Sequence, residues 1–281
     1  MAVIQTYTLP DNSTLTNFKA WAQTISNALA TFGWTQTPDT GQVNWSSISA
    51  VPAAFVYEIW KSADSFSSTN PIYLKLEYGA GTTPSLAVTV GSGSTGAGLL
   101  TNASPRNPLS INGASDSATQ SFECDLSGST SRFAFTMWRG IALPSFFSVE
   151  RSRDANGNET ASYITYLCAG TGLATPFCAQ QSIYPASNGG PLFQENFGLT
   201  FQTTNTTTVT VGNLVVAVPF WPLVGKLDNP LLGAVCLKAA DVADGLVFTT
   251  TIYGVAHTYI VTKSSALWGD VTTNAIAMRF E

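Results

Sequence analysis

The chain has 281 residues, of which 44% are hydrophobic and only 10% charged, with a formal net charge of -5. An average soluble protein carries roughly 25% charged residues, and here 28 Ser and 36 Thr take up the difference. With 11% aromatic residues this is not a charge-rich disordered tail, and 12 basic residues against 17 acidic ones leave no electrostatic footprint for nucleic-acid phosphates.

The N-terminus lacks both a basic head and an apolar signal core, so no cleaved export signal is expected. From Leu15 the apolar residues Leu15, Phe18, Ala22, Ile25, Leu29 and Phe32 recur at the spacing of one helix face. Asp11, Asn12 and Ser13 can cap its first turn, and Gly33 suits the left-handed turn that ends helices. Strand patterns follow at Phe55–Trp60, Ile72–Tyr78, Leu86–Val90, Arg132–Trp138, Phe146–Arg151, Ser162–Leu167 and Thr207–Val218. Three more lie at Leu246–Tyr253, His257–Val261 and Ala275–Phe280. The segment Asp154-Ala155-Asn156-Gly157-Asn158 reads as a hairpin tip, because Asn-Gly favours positive φ. Leu100–Ser121 and Ala169–Pro191, dense in turn residues, read as long loops that could reach a neighbour. Strands do not alternate with helices, so the expected fold is mainly β (α+β): antiparallel sheets or a β-sandwich carrying one long N-terminal amphipathic helix. The expected regions are 1–110, helix plus sheet, and 111–281, β-rich, with one continuous domain as the alternative. The longest apolar stretch, Leu214–Gly225, is broken by Pro219 and Pro222 and is too short for a spanning helix.

The motifs that carry chemistry are sparse. Gly91-Ser92-Gly93-Ser94-Thr95-Gly96 matches a phosphate-cradling pattern, but no helix pattern follows to direct amides at a phosphate, so a turn is expected. His257 is the single histidine, and no nucleophile elbow or second metal-binding histidine accompanies it. Asp39, Glu58, Asp64, Glu77, Asp125 and Glu150 are candidate carboxylates for glycoside hydrolysis, but nothing in the sequence selects a pair. Asp154, Asn156 and Asn158 alternate like calcium ligands, yet Glu159 and Thr165 occupy the positions where the calcium loop needs Gly and Glu. Cys124, Cys168, Cys178 and Cys236 lack paired metal-ligand spacing; they read as small buried residues, with a Cys168–Cys178 bridge as the alternative. The cluster Glu150, Arg151, Arg153, Asp154 and Glu159 reads as a cross-strand ladder or a subunit contact. Trp21, Trp34, Trp45, Trp60, Trp138, Trp221 and Trp268 fit a core or a sugar platform. The expected catalytic, cofactor and metal residues are therefore none.

Several runs taken together resemble a family of structural proteins of tailed bacteriophages and prophages. They are Phe18-Lys19-Ala20-Trp21, Phe32-Gly33-Trp34-Thr35-Gln36, Asp39 to Trp45, Tyr57-Glu58-Ile59-Trp60, Ile72 to Gly79 and Leu86 to Gly91. Arg132-Phe133-Ala134-Phe135 and Phe146 to Asp154 continue the likeness, which covers roughly residues 13–165. The resemblance implies a virion component of the tail, baseplate or neck, assembled in a bacterial cytoplasm, with no catalytic residues. Its partners would be copies of itself and other virion proteins, without nucleic acid or membrane insertion. The alternatives are a fibre-type adhesin that binds host-surface glycan, a capsid decoration protein, or an enzyme acting on polysaccharide.

Overall fold

The structure, a computed structural model, describes residues 3–79, 84–104, 106–110, 121–139, 145–169, 177–186, 190–193, 197–198, 218–219, 232–238, 243–264 and 274–279. The elements in chain order are β1 (Val3–Leu9), α1 (Leu15–Thr31), β2 (Thr35–Gln36), β3 (Val56–Lys61), β4 (Tyr73–Tyr78), β5 (Ser85–Gly91), β6 (Gly93–Ser94) and β7 (Leu100–Thr101). Next come β8 (Asn107–Ser110), β9 (Phe122–Ser129), β10 (Arg132–Trp138), β11 (Ser145–Arg153), β12 (Glu159–Ala169), β13 (Phe177–Ala186), β14 (Gly190–Phe193) and β15 (Phe197–Gly198). The chain closes with β16 (Val218–Pro219), β17 (Ala234–Lys238), β18 (Val247–Ile252), β19 (Val255–Ser264) and β20 (Asn274–Arg279). The protein is mainly β, with antiparallel sheets and a single helix near the N-terminus among the described residues.

The helix forms where the sequence pattern predicts it. The Thr14 hydroxyl accepts from the Asn17 amide at 3.1 Å, and Asp11 accepts from the Ser13 amide at 2.8 Å and the Asn17 side chain at 2.9 Å. The first of these bonds satisfies a first-turn donor that has no partner inside the helix, so the cap is Thr14 and not the expected Asp11 to Ser13, whose Asp11 braces the approach to it. Gly33, at φ +89°, turns the chain out, and the Trp34 amide donates back to the Leu29 carbonyl at 3.0 Å.

Three main sheets make up the described fold. The large sheet runs β1-β9-β10-β11-β12-β13-β14, with β15 also paired to β13. The helix-side sheet is β2-β3-β4-β5-β8, and the C-terminal sheet is β16-β17-β20-β19-β18. The two-residue strands β6 and β7 pair separately. The helix sits between the first two sheets: Trp21 meets Tyr78 of β4 at 5.8 Å and Phe122 of β9 at 5.9 Å, both rings edge-on. One core holds Phe18, Ile25 and Leu29 with Leu74 and Val88 on one side and Leu126, Phe133 and Phe147 on the other. Residues from both sides of position 110 thus share that core, and β1 pairs with β9 from Val3↔Gly128 to Leu9↔Phe122.

The structure departs from the sequence-based expectation in two places. The predicted loop Ala169–Pro191 contains β13, which pairs with β12 from Tyr163↔Ile183 to Ala169↔Phe177. Pairing to the edge of β12 supplies order that its Gln-Gln-Ser centre does not signal. The predicted loop Leu100–Ser121 contains β7 and β8 before residues 111–120, which lie outside the described residues. Most of the predicted strand Thr207–Val218 lies outside them too, whereas β1, β9 and β17 are additions to the prediction.

Candidate functional site

Alternation along the large sheet sorts its residues onto two unlike faces. Cys124, Leu126, Phe133, Phe135, Phe147 and Val149 face the helix. The opposite face carries Asp125, Ser127, Arg132, Thr136, Ser148 and Glu150, all buried. Contacts from this polar face reach the C-terminal sheet. Glu150 accepts from the Leu232 amide at 2.7 Å, and the Arg132 guanidinium donates to the Ser127 hydroxyl at 2.9 Å and the Arg279 carbonyl at 3.3 Å. Ser127 also donates to the Arg279 carbonyl and Thr136 donates to the Met278 sulfur at 3.0 Å, while within the C-terminal segment the Tyr259 hydroxyl donates to the Leu232 carbonyl at 2.9 Å. Arg132 and Glu150 stand directly opposite each other on β10 and β11. Burial pushes the Glu150 carboxyl up, against the pull of Arg132 and Arg153, and brings the Arg132 guanidinium down to about 10. Gly233 packs onto this pair, and a Cβ there would collide with the Glu150 carboxylate and come within 3.2 Å of Arg132 Cδ. Polar side chains therefore join the two sheets with specific bonds, beside the buried apolar Ala134 and Phe146 of the same face.

Asp125 belongs to the same face and, like Ser148, Arg132 and Glu150, has a buried polar atom without a hydrogen-bond partner. Thr6 donates to it, but its Oδ1 has no hydrogen-bond partner, and Glu123 and Asp244 add negative charge nearby. Burial, with that repulsion, raises its pKa to about 6. A carboxyl whose folded pKa lies above its ordinary value contributes stability that is present below the ordinary value and lost as pH rises through the folded one. Asp125→Asn, which cannot ionise, is expected to match the parent near pH 4 and exceed it by ~2–3 kcal/mol near pH 8. Urea denaturation at the two pH values checks this, and a difference independent of pH would overturn it.

The other candidate carboxylates serve separate segments. Glu58, buried between helix and sheet, accepts at Oε1 from Trp45 Nε1 at 2.8 Å and the Ser26 hydroxyl at 3.0 Å. Its Oε2 accepts from the Tyr78 hydroxyl at 3.0 Å and Trp60 Nε1 at 3.4 Å. Burial pushes its pKa up despite these four donors. Asp64 holds Arg151 in a two-point pair, Nε–Oδ2 at 3.1 Å and Nη2–Oδ1 at 2.9 Å, with both side chains out of solvent. Glu77 pairs with Arg106 at 2.9 Å on the surface. No hydrogen bond joins any two of the six carboxylates among the described residues.

Asp39 explains the glycine-rich segment. It accepts from the Ser94 hydroxyl, from Thr37 at 2.6 Å and from the Gly98 amide at 3.2 Å. These donors, with the Gly96 amide, outweigh the upward push of burial and hold its carboxyl below the ordinary range. The amides that a nucleotide-binding loop would offer to phosphate are here directed at a carboxylate of the same chain. Gly96 and Gly98 lie at φ near +80°, but a Cβ at Gly96 meets nothing, whereas one at Gly98 runs into the Tyr57 ring, within 2.6 Å of its Cζ. Gly98→Ala is accordingly expected to cost ~2–4 kcal/mol and Gly96→Ala only ~1 kcal/mol, by thermal unfolding. Equal costs would remove the role assigned to Tyr57.

The remaining predicted positions resolve as follows. Both Asp154 oxygens are taken by the amides of Asn156 and Asn158 and the Asn158 side chain, as a hairpin tip requires. Of the charge cluster, only Arg153–Glu159, at 3.2 Å and in register, forms a cross-strand rung; Glu150 and Arg151 leave on opposite faces. His257 is buried in β19 opposite Thr250. Cys124 is a free, buried thiol whose pKa burial raises. Backbone register sets Cys168 opposite Cys178; their side chains, and that of Cys236, lie outside the described residues. Trp21, Trp34 and Trp60 are core residues, with Trp34 Nε1 donating to the Ser129 carbonyl at 2.8 Å; Trp221 and Trp268 lie outside the described residues. Among the described residues no cluster of His, Cys, Asp and Glu could hold a metal, and no helix is long and apolar enough to cross a membrane.

Sequence reading missed a second surface feature, the outer face of the helix-side sheet. There Lys75 lies 4.3 Å above the Tyr57 ring, Arg106 4.3 Å from Phe55, and Lys61 6.0 Å from Tyr73. Comparison of the chain with protein-family models and with curated proteins finds no match.

Proposed function

We propose that the protein is a structural subunit of a tailed-bacteriophage virion, working by protein–protein assembly in the tail, baseplate or neck. The observation that carries this reading is the disposition of charge. Among the described charged residues only Arg106 and Asp244 are exposed; the others are buried or half-buried and mostly tie loops and sheets together. Interface centres are depleted in charge because every desolvated ion needs a partner, so a neutral Ser/Thr surface suits contact with copies and neighbours. The resemblance over roughly residues 13–165 supplies the particle context. Proteomics of purified particles together with light scattering on the isolated chain tests it: presence in particles and an oligomeric mass are expected. A monomer absent from particles overturns the reading.

The cation–aromatic face favours a second reading, recognition of host-surface glycan, since rings stack on sugar faces while cations hold acidic substituents. Phe55, 37% exposed, is its most accessible ring. Binding to host cells that is abolished by the pair Phe55→Ala and Tyr73→Ala would favour recognition; no binding by the parent chain removes it.

A further inference from the structure

Five large hydrophobic side chains are exposed among the described residues, and three of them, Leu246 (37%), Val247 (51%) and Val255 (55%), lie on one hairpin, β18–β19. Tyr253 and Gly254, both at positive φ, form its two-residue turn. β18 ends the C-terminal sheet, and no described strand pairs with its other side. Hairpin geometry decides which backbone groups face that open side. The Val261 amide donates to the Leu246 carbonyl at 2.9 Å, so the narrow, bonded pairs to β19 fall at Leu246, Phe248, Thr250 and Ile252. The N–H and C=O groups of Val247, Thr249 and Thr251 therefore point outward.

Natural sheet edges are usually blunted by proline, charge or shortness. The edge strands β8, β14 and β16 carry Pro108, Pro191 and Pro219, and β2 has two residues. β1 shows exposed polar Thr6 and Thr8. β18, with the sequence VFTTTI, has neither proline nor charge, and its register with β19 is unbroken.

We propose that β18 is where two copies of the chain join, each β18 pairing antiparallel with the other about a two-fold axis at Thr249. A second copy is the occupant that the strand's own chemistry favours: VFTTTI carries no charge, so a two-fold axis sets no like charges opposite each other within the strand pair, and a charged partner finds no counter-charge there. The outward groups fix the register. With Thr249 opposite Thr249, Val247 stands opposite Thr251 and Phe248 opposite Thr250, and three narrow pairs give about six backbone hydrogen bonds. The C-terminal sheet then continues from one copy into the next, and the exposed Leu246 and Val247 are covered.

This inference deepens the assembly reading and rests on it for the identity of the partner. Sedimentation velocity of the full chain is expected to give a dimer for the parent and a monomer for Thr249→Lys, with unchanged circular dichroism. Lysines facing across the axis repel, so about 1 M salt, where screening acts within ~3 Å, should restore the dimer. Thr249→Cys should form an intermolecular disulfide on mild oxidation with copper phenanthroline, beyond any seen in the parent, because narrow pairs hold Cα atoms about 5.5 Å apart. A parent monomer, or unchanged mass in Thr249→Lys together with no added cross-link in Thr249→Cys, overturns the edge. If that failing chain is still found in purified particles, the virion reading survives without it. A chain that cross-links through Thr249→Cys yet is absent from particles sinks the virion reading and keeps the edge.

Discussion

Replacing Glu58 by alanine is expected to destabilise the protein by ~3–5 kcal/mol, an effect set by four buried donors losing one acceptor. Trp45, Ser26, Tyr78 and Trp60 all give their hydrogens to this carboxylate, and no cation among the described residues shares it. Removing it leaves those N–H and O–H groups away from water and opens a hole beside Leu74 and Leu76 of the core. The cost of an unmet buried donor is larger than the net worth of a made bond, so the loss exceeds what a side-chain count implies. Glu58→Gln keeps the volume and one acceptor oxygen but turns an amide toward donors; it should fall between parent and alanine variant. Chemical denaturation reads both values. An alanine variant within ~1 kcal/mol of the parent would mean that the four donors find other acceptors.

A comparable loss is expected at Asp64. Its partner Arg151 is shut from solvent, donates through Nη1 to the Ala161 carbonyl at 2.8 Å, and lies 5.4 Å from the Phe66 ring and 5.9 Å from that of Tyr163. Asp64→Ala strands that guanidinium and should cost ~3–5 kcal/mol, whereas Asp64→Leu with Arg151→Met removes both charges and should recover much of it. The double-mutant cycle measures the difference, and simple additivity of the two changes would show that the pair is not coupled. The pair fastens the segment between β3 and β4 onto the large sheet, so the alanine variant should also become sensitive to proteolysis near Phe66.

These two carboxylates mark the boundary of what could be read without coordinates. Helix α1 was legible because its determinants are local: the spacing from Leu15 to Phe32, a polar run before the first turn, and Gly33, although the capping residue is Thr14 and not Asp11 to Ser13. The tip at Asp154–Asn158 was legible for the same reason. The fold class followed from strand patterns around them. Glu58, in contrast, draws donors from residues 26, 45, 60 and 78, which come together only when helix and sheet pack, so it looked like any acid eligible for catalysis. β9 alternates Phe122, Cys124 and Leu126 with Glu123, Asp125 and Ser127, yet its acid, serine and glycine content hides a strand whose polar face is buried under another sheet. β13 is specified by its partner more than by its own residues. In the glycine-rich run expected to be a turn, Gly91 ends β5 and Gly93–Ser94 form β6, so the turn itself falls at Thr95–Leu99, and its occupant, Asp39, lies more than fifty residues earlier.

The pairing of β1 with β9 bears on how the chain is made. Val3 cannot meet Gly128 until both have left the ribosome, and at about 5–20 residues per second that separation corresponds to roughly 6–25 s of synthesis. Throughout that interval β1 has no β9 to pair with, and α1 has only one of its two covering sheets. Productive folding of the nascent chain therefore waits on a contact of high sequence separation, which makes rapid translation or a holding chaperone an advantage for yield.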